Sequence, residues 1–190
     1  MSELPQDEKV NVSLPFSHSY WVVEGRLLAG YYPGDLSVNQ AYDKLRGLLN
    51  IGIRHVINLM EEHERDMRGN PFIPYRGVLD QLARDMGCEI TCVRMPIRDL
   101  DIPSPAEMSD ILDEIDDSLA TNRPVYVHCL GGKGRTGTVV GCYLARHGIA
   151  VGGAALAKIR ELRRNHPEAR ITSPETEEQR QFVIQWKEGE

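Results

Sequence analysis

The sequence predicts one α/β domain built on a central, mostly parallel twisted sheet with helices on both faces. Three observations carry this expectation. Short β-type runs alternate with helical ones along the chain. The run from Pro124 to His128 is apolar almost throughout, as a central strand covered on both faces must be. No repeat, low-complexity tract or linker divides the 190 residues. That length suits one domain with a sizeable core, and 41% hydrophobic with 26% charged residues is ordinary for a globular protein.

Residues 1–17 are expected to form an extended N-terminal segment, after which "SYWVVEG" and "RLLAGYY" read as an opening strand pair. Pro33-Gly34-Asp35 makes a turn, and an N-cap leads into a helix over "LSVNQAYDKLRGLLNIG". "HVINLM" is a compact apolar strand, and the polar segment after it, broken by Pro71 and Pro74, is expected to be loop. Apolar residues at 78, 79, 82, 83 and 86 form a helical stripe closed by Gly87. "EITCVRMPI" predicts a strand over 89–97 that runs into the proline-bounded loop "RDLDIPSP", and Ser104-Pro105 opens a helix through Leu119. After the central strand the pattern turns helical from Thr136 to Gly148, then again over "AVGGAALAKIRELRRNH". The last helix is expected to start with Ser173 as N-cap and Pro174 at its first position.

Charge and cysteine usage exclude several function classes. The net charge of −6 argues against general nucleic-acid binding. Asp101 to Ala120 holds seven acids and no base, whereas Gly131 to Arg170 holds eight basic residues against Glu161 and Glu168. Both runs read as solvated helix faces, the second also as charge that attracts anions. No stretch is apolar enough for a signal peptide or a membrane span, so a cytoplasmic protein without stable membrane insertion is expected. Cys88, Cys92, Cys129 and Cys142 form no CxxC pair and are expected to be free thiols. The six histidines show no ligand spacing, so no metal or other cofactor is expected.

The chemistry concentrates in "VYVHCLGGKGRTGTVV", residues 125–140. Cys129 stands where the central strand gives way to a loop and then to a helix N-terminus, the usual ligand crevice of open α/β sheets. Leu130, Gly131, Gly132, Lys133 and Gly134 lie between it and Arg135, and the glycines let successive N–H groups turn toward one centre, as phosphate oxygens require. The field that holds phosphate also favours thiolate over thiol. Arg135 offers a planar fork for two phosphoryl oxygens, His128 is placed to steady the loop, and the Thr136 hydroxyl is placed to donate to the sulfur as thiolate leaves.

The whole string His128-Cys129-x5-Arg135-Thr136 resembles the signature of the cysteine-dependent protein tyrosine and dual-specificity phosphatases, nearest the compact dual-specificity type to which the kinase-associated phosphatase belongs. The resemblance implies a dual-specificity-phosphatase-like fold, Cys129 as nucleophile, a phosphocysteine intermediate formed without a metal, and Arg135 as phosphate clamp. It also implies a general acid on a loop before the cysteine. Lined up with the family's Pro-Ile-x-Asp pattern, Asp99 takes that place, 30 residues before Cys129. Asp101 is the alternative and otherwise reads as a carboxylate capping the next turn. Gln179, three residues before Phe182, matches the family's water-positioning glutamine, and otherwise reads as an exposed helix residue. The expected partners are a phosphorylated protein or peptide, with phosphate, vanadate or sulfate in the loop.

Other readings are weaker. The Walker pattern fails because Gly134 follows Lys133, and Arg135 with Asp99 argues against a rhodanese-type sulfurtransferase. A phosphoinositide or inositol-phosphate phosphatase is an alternative, since Lys133 lies inside the loop, although Leu130 stands where such enzymes carry a second lysine. A phosphopeptide-binding module without turnover is a further one. Tyr31, Tyr32, Phe72 and Tyr75 are candidates to wall the entrance, with packing an equal reading for each.

Overall fold

The computed structural model describes residues 13–66 and 68–190; most of the expected N-terminal segment therefore lies outside the described residues. Five strands form one sheet in the order β1-β2-β5-β3-β4: β1 (Ser19–Val23), β2 (Leu27–Gly30), β3 (His55–Asn58), β4 (Thr91–Arg94) and β5 (Val125–His128). Only the β1–β2 pair is antiparallel; β2, β5, β3 and β4 run parallel, and Gly30, His128 and Asn58 align across the three inner strands. All four parallel strands therefore deliver their following loops to one edge. That edge receives the segments that start at Tyr31, Leu59, Met95 and Cys129, which is why residues far apart in sequence meet there.

Side-chain alternation along β5 divides the core. Val125 and Val127 face one side and pack with Leu27, Ala29, Ile57 and the apolar stripes of α3 (Pro105–Ala120), α4 (Arg135–Arg146), α5 (Gly153–Leu162) and α6 (Glu177–Gln185). Tyr126 faces the other, with Leu28, Val56, and Leu45, Leu48, Leu79 and Leu82 from α1 (Val38–Asn50) and α2 (Arg76–Asp85). The expected α/β architecture with helices on both faces is thus the observed one. Each fully buried aliphatic side chain contributes about 1.5–3 kcal/mol, so the layers rest mainly on these stripes.

Local signals place the helix ends. Ser37 caps α1 through the Gln40 N–H, and Ser104 with Glu107 closes a reciprocal capping box at α3. α4 is buried from Arg135 through Ala145, because it sits beneath α3, α5 and α6 as well as against the sheet. The predicted strand over 89–97 is shorter, Thr91–Arg94. The expected start of the last helix is wrong. α6 begins at Glu177 with Thr176 as N-cap, and Gln179 completes its capping box. The Thr176-x-x-Gln179 pair outcompetes Ser173 because it satisfies two helix-end donors, while the Ser173 hydroxyl donates elsewhere, to the Lys133 carbonyl at 2.7 Å. Among the described residues no helix is long and apolar enough to cross a membrane.

Candidate active site

Cys129 ends β5 as a buried thiol, and Arg135 opens α4 six residues later. Among the described residues the backbone N–H groups of Leu130, Gly131, Gly132, Lys133 and Gly134 donate to no protein acceptor, so the loop carries five consecutive unpaired donors at a helix N-terminus. Its path depends on glycine at one point in particular. Gly132 has φ +61°, and a Cβ there would lie 2.5 Å from the Gly30 carbonyl carbon, so a side chain meets both strain and the β2 backbone.

The loop's carbonyls are held from outside. Tyr32 N–H donates to Leu130 O at 3.0 Å, the Ser173 hydroxyl to Lys133 O, and Thr138 to Gly134 O through both N–H and hydroxyl. His128 Nδ1 lies 3.0 Å from Cys129 O, and its Nε2 2.6 Å from the Tyr75 hydroxyl. A carbonyl only accepts, so Nδ1 carries the proton and Nε2 of the neutral ring accepts from Tyr75. Burial pushes the His128 pKa down to about 3, only partly opposed by its bond to the Cys129 carbonyl. Unfolded histidine titrates near 6.5, so the unfolded chain binds more protons at acid pH. The stability that neutral His128 contributes is complete above about pH 6.5 and is lost as the pH falls toward 3, at about 1.4 kcal/mol per unit of depression. Burial lowers His55 and His166 as well, so the whole chain's acid slope has several sources. Urea unfolding between pH 7.5 and 4.5 is expected to show a smaller loss of stability in His128→Asn than in the parent; equal slopes would contradict the assignment.

Arg135 is the electrostatic centre. Its Nη1 and Nη2 donate to Glu64 Oε2 and Oε1 at 2.7 and 2.8 Å, Nη1 also reaches Ile97 O at 3.2 Å, and Nη2 lies 2.9 Å from Asp99 Oδ1. Burial alone disfavours the guanidinium charge, but Glu64, Cys129 and Asp99 more than reverse this, and its pKa stands above the ordinary arginine value. The two carboxylates are not equivalent: the Glu64 side chain is 10% exposed and that of Asp99 59%. Arg94 fixes the Glu64 loop by donating to the Met60 and Glu61 carbonyls at 2.7 and 3.1 Å.

The predicted residues meet at this edge with one difference among the carboxylates. Asp99 reaches Arg135, whereas the Asp101 carboxylate accepts from the Ile102 N–H at 2.9 Å and caps its own turn. Gln179 is fully buried, against its reading as an exposed helix residue. Its Oε1 accepts from Glu175 and Thr176 N–H, and its Nε2 donates to Asp101 O at 3.1 Å. Lys133 Nζ pairs with Glu175 at 3.3 Å, and the Thr136 hydroxyl is buried with no partner among the described residues. Of the four aromatic candidates for the entrance, Tyr75 is buried beneath His128. Tyr75 also lines, with Tyr32, Phe72 and Glu64, a cavity of about 260 Å³ whose walls include none of Cys129–Arg135, while Tyr31 lines a separate cavity with His18 and Asp35.

Glu64 is the residue that the sequence reading missed. The available signal was "EEHE" directly after an apolar strand, but only the β5–β3 adjacency turns that into proximity to Arg135.

Comparison with known proteins bears on the family and the fold. The family model described as Swiss Army Knife protein, DSP-PTPase phosphatase domain, matches residues 17–183. An uncharacterized protein of Methanocaldococcus jannaschii is 34% identical over 116 residues, 57% of this chain and 67% of its own. The crystal structure of Tk-PTP in its active form superposes with a TM-score of 0.61 at 24% identity, covering 90% of this chain and 96% of that one. PTPMT1 in complex with PI(5)P gives a TM-score of 0.61 at 19% identity, covering 89% and 94%. At these identities the two structures speak for the fold alone, while the family match spans nearly the whole described chain. The protein therefore belongs to the dual-specificity and protein tyrosine phosphatase family, and is a phosphatase.

Proposed function

We propose that this protein hydrolyses phosphomonoesters of phosphoproteins without a metal, through a phosphocysteine at Cys129. The observation that carries the reading is a buried thiol and a buried guanidinium bracketing five amides that, among the described residues, are unpaired, at a helix N-terminus. Phosphate enters the amide cradle, and the Cys129 thiolate attacks phosphorus in line. The ester P–O bond breaks as S–P forms, and Asp99 gives its proton to the leaving oxygen. Water then attacks phosphorus, Asp99 takes its proton, and the S–P electron pair returns to sulfur, toward which the Thr136 hydroxyl, unpartnered among the described residues, donates a hydrogen bond. Exposure supports dividing the carboxylates this way: Glu64 is enclosed and keeps Arg135 oriented, while Asp99 is exposed and, among the described residues, has only its contact with Arg135 Nη2 to give up on turning toward a leaving group. Gln179 spends one amide proton on Asp101 O, which tethers the acid loop, and keeps a second for the attacking water.

Asp99→Asn is expected to lower kcat about 10²–10⁴-fold on alkyl phosphates and much less on activated aryl phosphates, whose leaving groups need no proton. Equal losses on both, measured by steady-state kinetics, would contradict Asp99 as the acid.

A phosphoinositide or inositol-phosphate substrate is the second reading. It is favoured by Lys133 within the loop and by the fold shared with PTPMT1, whose structure contains PI(5)P. Lys133 is already paired with Glu175, which favours the phosphoprotein reading. Phosphate release from phosphotyrosine peptides, phosphoserine or phosphothreonine peptides and phosphoinositides, run with chelator and with vanadate, separates the two. Peptide turnover that survives chelator and is blocked by vanadate is the expected result.

A further inference from the structure

We infer that Ser173 is a positioning residue of the catalytic loop, which aims the Gly134 N–H at the phosphoryl oxygens by holding the Lys133 carbonyl on the other side of the same peptide. The bond spans 40 residues of sequence: Ser173 Oγ donates to Lys133 O at 2.7 Å. A trans peptide is planar, with its C=O and N–H pointing in opposite directions, so anchoring this oxygen fixes the direction of the Gly134 N–H. That N–H is one of the donors with no protein acceptor among the described residues.

Two further features show that the hydroxyl is held in place for this bond. The segment carrying Ser173 is tied down at neighbouring carbonyls. Buried Arg163 donates from Nη1 to Ile171 O at 3.0 Å, and Arg180 Nη1 donates to Pro174 O and Glu175 O at 3.1 and 2.8 Å. α4 also makes room for it, since a Cβ on Gly137 would lie 2.3 Å from Ser173 Oγ. Ser173 is not a helix cap, that place being taken by Thr176, so its hydroxyl has no competing local use. Without it the Lys133–Gly134 peptide is free to turn over. A turned peptide presents a carbonyl oxygen to the phosphate in place of a donor, which replaces attraction with repulsion.

The inference rests on the loop being a phosphate cradle, and its test separates the two ideas by measuring binding without turnover. In a Cys129→Ser background, orthophosphate affinity is measured by calorimetry with Ser173 intact, with Ser173→Ala and with Ser173→Thr, alongside thermal denaturation. Ser173→Ala is expected to weaken orthophosphate binding about 10-fold, the scale of one hydrogen bond to a charged group, and Ser173→Thr to restore it. Gly137→Ala, a favourable change for helix propensity, is expected to weaken binding similarly by displacing the Ser173 hydroxyl, and serves if Ser173→Ala fails to fold. Equal orthophosphate affinity with and without the hydroxyl, with only the melting temperature lowered, would overturn the positioning role alone. A Cys129→Ser protein that binds no orthophosphate at all would overturn the cradle and the positioning role together.

Discussion

Cys129→Ser is expected to lose phosphate release by on the order of 10⁴-fold or more while still binding vanadate-sized oxyanions, because the substitution removes the nucleophile and leaves the surrounding donors in place. The five amides, the Arg135 fork and the outer bonds to the loop carbonyls involve no Cys129 side-chain atom. The side chain is buried, and serine is smaller, so the fold is expected to survive with only a small fall in melting temperature. Steady-state phosphate release with phosphate titration of the folded variant checks both halves. Turnover near the parent's would mean that another group attacks phosphorus. Loss of oxyanion binding together with turnover would mean that the sulfur, and not the amide cradle, holds the anion.

Arg135→Lys is expected to reduce kcat/KM by about 10³-fold although it keeps the positive charge, since an arginine that stabilises phosphoryl transfer is worth about 10³–10⁵. Lysine offers a point charge where Glu64, Ile97 O and Asp99 are presently held by one planar group. Arg135→Met goes further, since it leaves the 10%-exposed Glu64 side chain without its bidentate partner, and breaking an enclosed pair costs about 3–5 kcal/mol. Adding Glu64→Gln to Arg135→Met is expected to recover part of the melting temperature and none of the activity. That split separates the two jobs of the guanidinium, bracing the loop after β3 and holding phosphoryl charge. Wild-type kinetics in Arg135→Lys would contradict the clamp, and an undiminished melting temperature in Arg135→Met would contradict the brace.

The site was legible in the sequence wherever its chemistry is written in adjacent residues. The glycines and arginine after Cys129 imply both the strand-to-helix junction and the unpaired amides, because a chain leaving a central strand has few other ways to satisfy that composition. The sheet core was equally readable, since Val125, Tyr126 and Val127 are apolar on both faces. Strand order was not readable, and Glu64 was lost with it: nothing local says that the loop after β3 reaches Arg135 at the start of α4. Ser173 was misread for the opposite reason. Ser-Pro before an acidic stretch is a strong helix-start signal, yet Thr176-x-x-Gln179 supplies a complete capping box three residues later and frees Ser173 for the catalytic loop. Asp101 kept the modest role of capping its own turn, while its backbone oxygen acquired a tether to Gln179 that sequence does not encode locally.

The most direct measurement is capture of the covalent intermediate. The protein is mixed with an activated aryl phosphate, quenched in acid within the first turnover and digested, and the peptide containing Cys129 is weighed and fragmented. The mechanism predicts one phosphoryl group on the Cys129 sulfur, formed at the rate of the aryl-alcohol burst and absent from Cys129→Ser. Full turnover with the Cys129 peptide unmodified at every quench time would contradict it.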